Sequence, residues 1–337
     1  MKFAVGYQEP ENRELFSRIV ADYRKNICEV YFALPGSPSG RTDYARQDSI
    51  DRLEEELTAI RQMGIKLDLL FNANCYGGSA VSLDFEKKFC AVLEDLRSVG
   101  LLPDILTTTS PYVAMLVKKH WREVEVRASV NMRIDSIGGM DYLGDLYDSF
   151  YIRRDLQRDI PTVKRFKEWC DRNGKKLGIL LNSGCLRNCP SQTFHDNLVA
   201  HDKEVRKREN TSWNPHLCWR LYKEQKRYVE FLKSSWIRPE DVHNYENLVS
   251  FGKLATRQHH YPRIVIGAYA NGSYNGDLLH LTEPDYSAAF SGKMLDNTLF
   301  PTDWYEHTGS CGANCRQCGY CDSVLKKIIR TVPEEQL

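Results

Sequence analysis

Two stretches of the chain gather side chains able to bind metal or act as nucleophiles. The first, NSGCLRNCPSQTFHDN at residues 182–197, follows the apolar run KLGILL and carries Cys185, Cys189 and His195. The second, CGANCRQCGYC at residues 311–321, spaces Cys311, Cys315, Cys318 and Cys321 by three, two and two residues. Four thiols in eleven residues of a polar segment are not a packing feature, since burying each would need its own core position. Tetrahedral zinc sites commonly use two Cys-x2-Cys knuckles held well apart. The run Cys315-x2-Cys318-x2-Cys321 instead matches the wrapping of a ferredoxin-type 4Fe-4S cluster, and zinc is the alternative. Cys311-x3-Cys315-x2-Cys318 also spells the spacing of radical S-adenosylmethionine enzymes. Those enzymes carry the motif early in a barrel, and Gln317 stands where an aromatic is usual.

The first stretch admits three readings: a metal site, a cysteine nucleophile with its base, or a cysteine-rich loop. Cys218, in HLCWR, lies in the same polar insertion over 183–238, and Cys75 lies in NANCYGG just past an expected strand. These four thiols can close a second 4Fe-4S site. The competing view makes Cys185 or Cys189 a nucleophile with His195 or His201 as base. No recognised cysteine-protease signature surrounds them, and a cysteine pair beside further cysteines favours metal over acyl transfer. Cys28, Cys90 and Cys170 occupy apolar positions of strands or helices and are read as core.

The elements that must position these residues alternate. Strands are expected at 2–7, 28–34, 65–73, 104–109, 124–131, 149–154 and 175–182, with an eighth at 250–257. Helical spacing of apolar residues marks 49–63 and 84–99, closed by Gly64 and Gly100. Ser110-Pro111 reads as a helix cap followed by proline in the first turn. A further helix spans Thr162–Cys170, and Pro239 is expected to start another. Repeated strand–helix units predict a parallel sheet, and their number predicts a closed TIM-type (β/α)8 barrel. No GxGxxG follows the first strand, which weakens a dinucleotide-binding alternative. A barrel over 1–275 is expected, followed by a cysteine-rich extension over 276–337. An insertion after strand seven belongs on the C-terminal face of the barrel, where such enzymes place their chemistry.

Composition narrows the classes. The 46 Lys and Arg balance 45 Asp and Glu, so no global field draws the chain to nucleic acid or acidic membranes. The basic segment KEVRKR at 203–208 reads as a solvated helix, which leaves nucleic acid open as a partner. No run approaches the roughly 18–20 apolar residues of a membrane span. MKFAVGYQEP lacks a secretion-signal pattern, so a cytoplasmic location is expected, where 11 cysteines are buried, metal-bound or catalytic rather than disulfide-paired.

Several of these motifs together resemble one family. The order strand–NSGCLRNCP–QTFHDN–AH, a lone cysteine in HLCW, then SSWIRPEDVHNYE and FGKLATR, is similar to the peptidase U-thirty-two (U32) family, the collagenase-like peptidases. The similarity of layout covers most of residues 1–280 and is specific within about 140–260. It implies a TIM-type barrel with a 4Fe-4S cluster at its mouth on four cysteines. Better-understood relatives hydroxylate ubiquinone precursors, or transfer or ribosomal RNA bases, without oxygen and with prephenate as donor. The resemblance maps the family's clustered cysteines onto Cys185, Cys189 and Cys218, with Cys75 as fourth ligand from its place on the barrel face. His195, Asp196, His201 and Arg257 are the polar residues expected around that cluster. Arg41, Arg127 and Arg257 are candidates for gripping a substrate carboxylate. The cysteine spacing and the CGANCRQCGYC tail depart from those hydroxylases and imply a separate branch with a second cluster and an electron-donor protein as partner. Peptidase activity, or a non-catalytic electron carrier or scaffold, stand as the other readings.

Overall fold

Strand β1 (Phe3–Gly6) is followed by β2 (Ile27–Phe32), β3 (Lys66–Phe71), β4 (Ile105–Thr108), β5 (Glu125–Ala128), β6 (Ser149–Tyr151), β7 (Lys176–Leu180) and β8 (Phe251–Leu254). The eight pair in parallel in sequence order, and β8 returns to β1 to close the barrel. The expected TIM-type (β/α)8 fold is the one observed. The computed structural model describes residues 1–9, 14–40 and 48–332.

Side-chain alternation along each strand divides two environments. Val30, Phe32, Leu67, Leu69, Ile179 and Leu181 pack outward in the core shared with the helices. Tyr31, Leu70, Tyr151, Leu180 and Phe251 pack inward, interleaved with buried Glu29, Asp68, Thr107, Arg127 and Lys253. Gly178 makes room for this filling, because a Cβ there would stand 2.5 Å from the Phe251 ring. Arg127, expected as a substrate-gripping residue, is committed to this interior. It grips both oxygens of Glu29 and lies 3.1 Å from Glu125 and 3.5 Å from Asp68. At 1 % exposure it cannot reach a ligand, and its charge answers buried carboxylates. Burial pushes the Asp68 carboxyl up and the Lys253 ammonium down. Arg41 lies outside the described residues.

The helices begin where capping chemistry places them. Ser82 accepts the Phe85 N–H at the head of Leu83–Ser98, Ser110 accepts Val113 N–H ahead of Pro111, and Asp159 accepts Thr162 N–H at Ile160–Arg172. The helix expected to start at Pro239 is present, as a 3-10 helix over Pro239–Tyr245. Pro239, Val242 and Tyr245 are its buried residues, and a spacing of three matches the tighter turn.

Residues after the barrel's last helix, Pro262–Asn271, fold back over the insertion. Two short strands, β9 (Lys293–Leu295) and β10 (Ile329–Thr331), pair antiparallel. Leu279, Tyr286, Phe290, Trp304 and Ile328 join the same core as the barrel's outer face. Among the described residues, no helix is long and apolar enough to cross a membrane.

Candidate functional site

The loop bearing Cys185 and Cys189 leaves β7 under tight control. Asn182 donates to the Ala255 and Leu281 carbonyls and accepts the Ala255 N–H, joining the exits of β7 and β8 to the C-terminal extension. Gly184 N–H then bonds the Glu283 carbonyl at 3.0 Å. A Cβ at Gly184 would stand 2.8 Å from the Tyr286 ring, so glycine lets that tyrosine close over the loop. On the other side the segment after β6 grips it. Buried Asp155 accepts the Asn188 N–H at 2.9 Å and Arg153 Nε at 2.7 Å, while Asn188 takes the left-handed turn (φ 53°) that brings Cys189 round.

Cys185, Cys189 and Cys218 are drawn to one place. Burial pushes the Cys189 thiol up, with neighbouring Cys185 adding to the effect. Burial likewise pushes Cys218 up to about 11, reinforced by both other thiols and opposed by the adjacent Tyr286 hydroxyl. Arg154, buried at the end of β6, donates from Nη1 to Cys185 Sγ at 3.0 Å and from Nη2 to Asn131 at 3.2 Å. Around the three thiols stand buried donors: Arg154 Nε and the Tyr222 hydroxyl have no protein partner, while the Tyr286 hydroxyl is turned to Cys218. Both tyrosines feel the charge of Cys218 and Cys185. Among the described residues no three His, Cys, Asp or Glu side chains converge tightly enough for one metal ion.

The other expected residues have partners of their own. Cys75 Sγ accepts the Gly77 N–H of its own loop at 3.4 Å. The His201 ring comes within 3.9 Å of where a Gly77 Cβ would stand, so the loop after β3 meets the insertion there. The structure does not gather Cys75 with the other thiols into a single-ion set. His195, on the helix Gln192–Ala200, meets the His216 ring edge-on at 4.6 Å. Asp196 pairs with Arg133 at 2.7 Å. Arg257 donates to Ser39 Oγ at 3.2 Å, beyond the end of β8. The exposed KEVRKR segment turns Arg206 onto Asp202 at 2.5 Å. Cys170 is buried as expected, and Cys28 and Cys90 are half-buried against the cores.

Cys311, Cys315, Cys318 and Cys321 line a separate cleft, open in part to solvent. Arg158 and Arg187 reach it from the barrel side.

Comparison with known proteins agrees with this architecture. No protein-family profile matches the chain. It is 24 % identical over 315 residues to an uncharacterized protease from Methanocaldococcus jannaschii, covering 91 % of this chain and 90 % of that one. A solved U32 peptidase shares its fold with a TM-score of 0.54 at 14 % identity, over 75 % of this chain and 91 % of the other. The resemblance to the U32 peptidases is borne out.

Within this barrel, the residues that sequence reading missed are those that answer the thiols. Arg154 closes the run SFYIRR, and a charged residue at the C-terminal end of a barrel strand was the available signal. Asp155 follows it. Tyr222 and Tyr286 carried no signal, since aromatic residues in a long insertion and an extension fit a core equally well, and both do help form one.

Proposed function

We propose that the barrel mouth holds an iron–sulfur cluster on Cys185, Cys189 and Cys218, with Cys75 as the expected fourth ligand, and that the protein is an oxidoreductase. The reaction class is oxygen-independent hydroxylation or related redox chemistry on a small molecule, peptide or RNA base. One observation carries this reading: two buried donors without partners, Arg154 Nε and the Tyr222 hydroxyl, border three mutually interacting thiols. Such donors fit an acceptor-rich, anionic group, and sulfide-bearing clusters are tuned by hydrogen bonds of this kind.

When bound, such a cluster supplies one-electron chemistry and a Lewis-acidic iron. The chain's own residues would bind and orient. Arg154 holds the Cys185 sulfur and, through Asn131, the loop after β5. Asp196, His201 and Arg257 are the polar residues this reading assigns to meet a substrate. The reading calls for a protein electron donor and a reducing compartment such as the cytoplasm.

The relatives' names, protease and peptidase, bring a second reading. A thiol peptidase needs a base beside its sulfur, yet the hydrogen bond to Cys185 comes from a guanidinium, which takes no proton at neutral pH. Anaerobic purification of a Cys315→Ser/Cys318→Ser variant isolates the mouth. Brown protein with iron and sulfide in equal amounts is expected, lost on adding Cys185→Ser/Cys189→Ser. Colourless protein with stoichiometric zinc, or peptide cleavage abolished by Cys189→Ala, would sink the proposal.

A further inference from the structure

The C-terminal cysteines sit in a built site of their own. Cys315–Cys318 forms one helical turn, and a separation of three puts both thiols on one face. Gly319, at φ 65°, ends that turn and starts the helix Tyr320–Ile328, so Cys321 follows in its first turn. Before them, Gly312 and Ala313 both take left-handed backbone, φ 59° each, which folds Cys311 back toward Cys315. For alanine that conformation is disfavoured, costing on the order of 1 kcal/mol. Strain held in a loop between two thiols is a mark of function rather than of packing.

The floor of the cleft is cationic. Arg158 is buried, donates to the Leu232 and Ser234 carbonyls, and lies 5.0 Å over the Trp304 ring. It feels the charge of Cys321 and Cys311. Arg187 and Lys233 complete the positive lining. His307 Nε2 lies 3.6 Å from Cys318 Sγ while its ring stacks on Tyr320 at 3.6 Å. Four thiolates on a metal centre carry net negative charge, and these cations are placed to offset it.

We propose that this cleft is a second iron–sulfur site, on Cys311, Cys315, Cys318 and Cys321. The four thiols line one cleft together with Arg158, Arg187, Lys233 and His307, and the Cys315-x2-Cys318-x2-Cys321 spacing is that of a ferredoxin-type cube. The site is also adjacent to the mouth. Arg154 and Arg158, four residues apart after β6, serve one thiol set each, and Arg187 enters the tail cleft from between Cys185 and Cys189.

The inference stands independently of the mouth reading, and its test keeps the two apart. The full chain with Cys185→Ser, Cys189→Ser and Cys218→Ser is reconstituted anaerobically with ferrous iron and sulfide. About four irons and as many sulfides per chain are expected, with an electron paramagnetic resonance signal on dithionite reduction. Zinc without sulfide, or no metal, overturns the proposal whatever the mouth does. Arg187→Glu, which leaves every thiol in place, is expected to lower loading of this site about 10-fold or more. Unchanged loading in that variant also counts against the site.

Discussion

Arg154 Nη1 stands 3.0 Å from Cys185 Sγ, with the guanidinium buried and Nε unpartnered. A charge in that position is stabilised when the sulfur beside it is anionic, as in a metal-bound thiolate. Arg154→Lys keeps the charge but loses the planar fork that reaches Cys185 and Asn131 together. Residues that orient metal ligands typically contribute 10- to 100-fold in affinity, so iron loading at the mouth is expected to weaken by about that factor. Iron content after competition with a chelator measures it. Retention equal to wild type would show that Arg154 serves only the fold.

Asp155 holds the same loop through its backbone. Replacing it by alanine leaves the Asn188 N–H without its acceptor and takes one partner from Arg153, in a place where Asp155 is 4 % exposed. The expected loss is about 1–3 kcal/mol of stability, read from urea denaturation. Proteolysis should then begin between Arg187 and Pro190. Cleavage elsewhere would mean another contact holds the loop.

Much of this architecture was legible in the sequence because the barrel repeats. Eight apolar runs, each followed by an amphipathic segment, admit few topologies, and the seven-to-eight interruption marks the C-terminal face. The cysteines were legible by type and spacing. Their partners were not, because Arg154, Asp155 and Arg158 come from a different strand end and meet the loop only after the barrel closes. Arg127 misled for a related reason. An arginine in a strand resembles a ligand-binding residue until the register places Glu29 and Asp68 across the interior from it.

That interior makes its own prediction. Arg127→Met leaves Glu29 and Asp68 buried without their counter-charge, and breaking a buried pair in this way costs about 3–5 kcal/mol. The double variant Glu29→Gln/Arg127→Met should recover part of that loss. A single variant that denatures at the same urea concentration as wild type would contradict the role assigned to Arg127.

His259, just beyond β8, gives the fold an acid limit. It is 1 % exposed, and its Nδ1 accepts the Tyr261 N–H at 3.0 Å. Burial lowers its pKa from 6.5 to about 4, so the folded protein keeps it neutral while the unfolded chain protonates it. The unfolded state then binds more protons across that window. Stability is complete above pH 6.5 and falls as pH drops toward 4, by about 3 kcal/mol for this one group. The His280–Asp285 pair, 2.9 Å apart, works the other way on its histidine side, since a raised His280 adds stability below its ordinary value and loses it as pH rises. His259→Gln keeps an acceptor for Tyr261 and removes only the titration. Denaturation midpoints of wild type and variant should diverge between neutral pH and pH 4, with the variant less acid-sensitive. Parallel pH profiles would remove His259 as the cause.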